Sequence, residues 1–86
     1  MLTMDKLYIL EYQEEGGNFY YNNFDGIHQP DTAGYRTISI CTFDECSDFS
    51  NNVRNKYDFG ISPYPTFETI LEEWKMWKNS IKQHRI

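Results

Sequence analysis

The sequence predicts an α+β fold in one domain spanning residues 1–86: a small antiparallel sheet of three or four strands, packed on one face by a C-terminal amphipathic helix, with room for a second short helix near residues 44–55. Three observations point there. Two aromatic-rich segments flank a Gly-Gly turn, a β-branched run follows at 35–43, and an apolar stripe at helical spacing runs from Phe67 to Ile81. A chain of 86 residues seldom divides into two units that each own a core, and 40% apolar residues, with seven Tyr, six Phe and two Trp, exclude full disorder.

Lys6 to Gln13 (KLYILEYQ) is rich in Tyr, Leu and Ile and ends at Glu14-Glu15-Gly16-Gly17, where glycine can take the positive φ of a tight reversal. Asn18 to Phe24 (NFYYNNF) is the returning strand, so the first third of the chain reads as a hairpin. Asp25-Gly26 breaks the pattern, and Ile27 to Gly34 collects Pro30, Asp31 and Gly34 in a loop expected to be the mobile segment. Tyr35 to Phe43 (YRTISICTF) has apolar groups on both faces, which predicts a strand through the centre of the sheet.

Thr42 followed by Glu45 has the form of a capping box, with Cys46, Phe49, Val53 and Tyr57 at helical intervals behind it. Val53, Tyr57, Phe59 and Ile61 also alternate as in a strand, so the expectation is a helix to about Asn55 and then a strand from Lys56 to Ile61. Ser62-Pro63-Tyr64-Pro65 is a stiff connector, and Thr66 can cap the next helix. From Phe67 to about Gln83, Ile70, Leu71, Trp74, Trp77 and Ile81 form one stripe. Acids in the early turns and Lys75, Lys78, Lys82 and Arg85 in the later ones match the helix dipole.

Composition narrows function by exclusion. Residues 1–73 hold all 13 acidic side chains against Lys6, Arg36, Arg54 and Lys56, while 74–86 hold four basic residues and no acid, for an overall charge of −5. Direct nucleic-acid binding and acidic membrane surfaces are disfavoured, because both need Lys and Arg in excess. No apolar run is long enough to span a bilayer and no leader is recognisable, so a cytoplasmic protein is expected. Cys41 and Cys46 are too few for a disulfide framework and read as two reduced, packed thiols. On a strand they would face opposite ways, and on a helix five positions do not superpose. A zinc set with His28 and His84 has the wrong spacing, the calcium-like Asn23-x-Asp25-Gly26 fragment lacks its terminal ligands, and no phosphate loop or nucleophile elbow occurs. No cofactor, metal or catalytic residue is expected.

What remains is surface binding. Glu14, Glu15, Asp25, Asp44, Glu45 and Asp48 offer carboxylates, and Tyr20, Tyr21 and Trp77 offer contact-prone rings. The expected partner is a protein with a basic nucleic-acid-binding surface, met by acidic groups gathered in a shared exterior patch that stand in for phosphates. Small acidic phage inhibitors of nucleases, including anti-CRISPR and anti-restriction proteins, are similar in size and charge, a likeness that involves no motif and transfers no residue. Two alternatives remain. One is a module that forms a homodimer through the Trp helix or an edge strand, and the other is a metal-dependent phosphodiesterase built on Asp44, Glu45, Asp48 and His28.

Overall fold

A computed structural model describes residues 6–24 and 34–84, with side chains described as far as residue 80. The element order is β1 (Leu7–Gln13), β2 (Asn18–Asn23), β3 (Tyr35–Thr42), α1 (Phe43–Lys56) and α2 (Phe67–His84). The fold is α+β, a three-stranded antiparallel sheet with both helices on one face. Asp25, His28 and the loop expected at 27–34, apart from Gly34, lie outside the described residues, as does Arg85.

The β1–β2 hairpin forms as its residues predict, with Gln13 opposite Asn18 and a four-residue turn between them. Gly17 in that turn has φ +63°, and a Cβ there would come within 2.8 Å of the Tyr64 ring. Both the backbone angle and the close approach therefore require glycine. Along β1, Tyr8, Leu10 and Tyr12 face the helices, beside Phe19 and Tyr21 of β2, while Leu7, Ile9, Glu11 and Gln13 face the other way.

The strand order is β2-β1-β3, so β1 and not β3 is central. Apolar residues on both faces marked β3 as interior, but the same signal is stronger in β1, where four consecutive residues from Ile9 to Tyr12 are buried. The outer face of β3 leaves Ile40 41% exposed. A register shift opposite Leu10/Glu11 places an extra β3 residue at Ile38, which joins the core, and Arg36 beyond it lies over the Phe67 ring at 4.1 Å.

The capping box at the start of α1 is complete. Thr42 Oγ1 accepts from Glu45 N at 3.2 Å, and Glu45 Oε1 accepts from Thr42 N at 3.0 Å. Cys46, Phe49, Ser50 and Val53 then form the buried face, and Asn51, Asn52 and Asn55 are exposed. No strand follows. The helix ends at Tyr57, after which Phe59 packs on Phe19 and stacks with Tyr64 over the β1–β2 turn, leaving Ile61 in solvent. The alternation of Tyr57, Phe59 and Ile61 thus reflects a connector folding back, not a pleat.

The connector is tied down by Tyr12, whose hydroxyl donates to the Pro65 carbonyl at 2.7 Å. Thr66 caps α2 through Thr69 N, and Glu14, 53 residues away in sequence, accepts from Phe67 N at 2.8 Å. Phe67, Ile70 and Trp74 are buried against the sheet and α1, with Leu71 and Trp77 packed at the margin. Phe49 sits at the junction, with ring centroids 6.2 Å from Phe19, 5.1 Å from Trp74 and 5.6 Å from Trp77. Replacing Phe49 with Ala should cost about 3–5 kcal/mol in urea denaturation, whereas Ile40→Ala on the outer face should cost under about 1 kcal/mol.

Candidate functional site

The carboxylates divide into those the fold uses and those it leaves outward. Glu73 is only 7% exposed and binds two partners, the Tyr57 hydroxyl at 2.7 Å and Lys56 Nζ at 3.0 Å. Burial alone would raise its pKa, but those two donors and the lysine charge bring it below the ordinary carboxylate value, and the same contact raises Tyr57. Glu45 receives Lys78 Nζ at 2.8 Å in addition to its capping bonds, and the Lys78 hydrogen bond is the main cause of its lowered pKa. Glu68 pairs with Arg36, Glu72 with Lys75, and Asp58 caps Gly60 N. Glu14 is held at the start of α2, and its charge adds to burial in pushing Tyr12 up to about 12. Glu11 is buried on the outer side of the sheet, opposite Tyr20 and Thr37.

Glu15, Asp44 and Asp48 are exposed and carry no ion pair or hydrogen bond among the described residues. They do not form one patch. Glu14 and Glu15 follow the last residue of β1, whereas Asp44 and Asp48 start α1, which leaves β3 beside Leu7 at the first residue of β1. The length of β1, roughly 20 Å, separates the two sets. Asp44 and Asp48 lie one helical turn apart, with Cβ atoms about 6 Å from each other.

Next to Asp44 is an aromatic residue the sequence reading passed over. Phe43, the first residue of α1, is 50% exposed, with its ring 5.6 Å from both Tyr8 and Tyr21 in edge-on contacts. An open depression of about 190 Å³ adjoins it, lined by Lys6, Tyr8, Thr42, Phe43 and Asp44. Spacing gave no signal for it, since Phe43 lies three residues before Cys46, at the interval of the buried stripe itself. The result is an apolar ring next to the outward Asp44 on a capped helix start, with Asp48 one turn further along the helix from Asp44.

The remaining sequence candidates are spread over other surfaces. Tyr20 and Tyr21 face opposite ways, as adjacent strand residues must. Tyr20 is 48% exposed against Tyr35 on the outer face, while the Tyr21 hydroxyl meets Ser50 Oγ at 2.6 Å among the helices. Ser50 donates its own hydrogen to the Cys46 carbonyl, so Tyr21 is the donor to Ser50. Trp77 is half-buried against Phe49 and Trp74, and its free edge borders a shallow cleft with Asn52, Lys56, Glu73 and Met76. Among the described residues, no group of three His, Cys, Asp or Glu is placed to hold a metal ion, and no helix is long and apolar enough to cross a membrane.

Cys41 and Cys46 are free thiols, with Sγ atoms 3.4 Å apart. The expectation that they would diverge assumed a single element, but Cys41 is the second-last residue of β3 and Cys46 the fourth of α1, with Thr42 turning the chain between them.

The lowered pKa of Glu45 has a signed consequence. Its pairing stabilises the fold fully above the unfolded carboxylate value of about 4.5 and is lost as pH falls through the lower folded value. Urea denaturation between about pH 6 and pH 3 should therefore show a smaller acid loss of stability for Glu45→Gln than for the wild type, with equal slopes contradicting the assignment. Compared with known proteins, the chain matches no family model, no curated protein and no solved structure.

Proposed function

We propose that this protein is a small non-catalytic binding module that occupies a basic surface on a partner protein through the start of α1. The observation that supports it most is Phe43, half exposed at a capped helix start next to Asp44, with the outward Asp48 one turn further on. A ring supplies desolvation energy at the centre of a contact, and the acids of the same helix supply attraction and fast association. The partner is a protein whose cationic groove otherwise binds nucleic acid, and Asp44 and Asp48 take the place of phosphates there. Occupying the groove inhibits it, the mode of action of anti-CRISPR and anti-restriction inhibitors, and requires no catalytic residue in this chain.

The contact is compact. Glu45 and Glu73 are paired within the fold, Glu68 and Glu72 each have a cation beside them on α2 or β3, and Glu14 serves the α2 terminus, so a row of phosphate substitutes along the sheet has few carboxylates to draw on. Apolar anchoring by Phe43 accordingly carries more of the binding than charge alone. The immobilised protein should capture its partner from a cytoplasmic extract at about 0.05 M salt, and raising the salt to about 0.5 M should weaken capture by up to about tenfold, the share that charge contributes. Asp44→Asn with Asp48→Asn should weaken capture about tenfold, and Phe43→Ser should abolish it without unfolding the protein. Capture indifferent to both salt and these substitutions would contradict the proposal.

A second reading, self-association, is favoured by the outer sheet face, where Leu7, Tyr20 and Ile40 are exposed and β2 and β3 are the edge strands. It differs from a dimer through the Trp helix, because Trp74 is buried and Trp77 is packed against Phe49. In sedimentation this reading predicts a mass that rises with concentration and returns to the monomer with Ile40→Lys. A constant monomer mass would remove it.

A further inference from the structure

We propose that Cys41 and Cys46 form a two-electron oxidation site, at which a peroxide converts the pair reversibly into an intramolecular disulfide across the β3–α1 junction. The geometry is already close to that product. The two sulfurs lie 3.4 Å apart, and reaching a bonding distance of about 2.05 Å requires a closure of roughly 1.4 Å, within reach of side-chain rotation at the first turns of a helix. No other cysteine occurs in the chain, so a sulfenic acid formed on either residue meets its partner before any other thiol.

The surroundings assign the two sulfurs different roles. Cys46 lies near the N-terminus of α1, where the helix dipole favours the thiolate. Cys41, on β3, has no such dipole beside it, and its thiol pKa is raised by the contact with Cys46 and by burial. Cys46 is therefore the attacking sulfur and Cys41 the resolving one. Both side chains are almost fully buried, so a reagent as small as hydrogen peroxide is the fitting oxidant, and bulky thiol reagents are excluded from the native state.

The reaction balances. The Cys46 thiolate attacks one peroxide oxygen, the O–O bond breaks, and the departing hydroxide takes up a proton to leave as water. Cys46 becomes a sulfenic acid. Cys41 then loses its proton and attacks the Cys46 sulfur, the S–O bond breaks, and a second water leaves as the S–S bond forms. Two thiols and one hydrogen peroxide give one disulfide and two waters, sulfur losing the two electrons that the peroxide gains. The new bond closes a loop of six residues around Thr42 and fixes the capped start of α1 to β3.

The test is intact-mass spectrometry of the folded, full-length protein after hydrogen peroxide treatment, quenched and alkylated in denaturant without reductant. The expected product is a monomer that has lost two hydrogens and takes up no alkyl group, yields a linked Cys41–Cys46 peptide, and regains both thiols with dithiothreitol. Under the same treatment Cys41→Ser should stop at oxygen addition to Cys46. Cys46→Ser should leave Cys41 alkylatable, with thiol loss at least about tenfold slower than in the wild type. Wild-type protein that stays doubly alkylatable, adds oxygen to one cysteine without linkage, or links two chains would overturn the proposal. The wild-type outcome decides it even if a serine variant fails to fold.

Discussion

Phe49 is the side chain on which the layers converge. From the buried face of α1 it meets Phe19 of β2 and both tryptophans of α2, so neither helix can leave the sheet without opening the same aromatic cluster. In so small a chain there is little other core to compensate, because the fraction of surface buried on folding rises with chain length and is low in short chains. The cluster also orients α1. With Cys46, Phe49, Ser50 and Val53 turned inward, Asp44 and Asp48 must face outward from the opposite side of the helix.

Charge is distributed to the same end. The chain separates an acidic body from a basic C-terminal segment, and folding brings Lys78 of the latter back to Glu45, while Lys75 pairs locally with Glu72 along α2. Arg36 and Arg54 lie over aromatic rings, and Lys56 closes on Glu73 between the two helices. Cations placed on rings and partly buried carboxylates serve cohesion more than solubility. Among the described residues, Glu45 and Glu73 are thereby tied into the fold, while Glu15, Asp44 and Asp48 stay outward without an ion pair.

Local patterns were legible in the sequence and long-range ones were not. The hairpin, the Thr42–Glu45 capping box and the stripe of Phe67, Ile70 and Trp74 each depend on residues within one or two turns, and each formed where its chemistry placed it. The central strand was misassigned because burial on both faces depends on which strands flank it, information carried by pairing and not by β3 itself. The strand expected at 56–61 gave way to ring packing of Phe59 on Phe19 and Tyr64, a contact between distant segments. The same holds for the candidate site. Spacing identified Asp44 and Asp48, but only the arrangement of elements separates them from Glu14 and Glu15 and brings Cys41 onto Cys46. Phe43 was hidden by its residue type, since an aromatic at a strand end reads as core until the turn of the helix carries it outward.

The central physical claim is that one aromatic cluster makes the sheet and both helices a single cooperative unit. Native-state hydrogen exchange tests it most directly, read at the amides of Leu10 and Tyr12 in β1, Phe49 and Val53 in α1, and Ile70 and Trp74 in α2. All six should exchange through the same global opening, with one free energy and one denaturant dependence. Exchange of the α2 amides at a markedly lower free energy, while β1 and α1 stay protected, would show that α2 detaches on its own and would contradict the account.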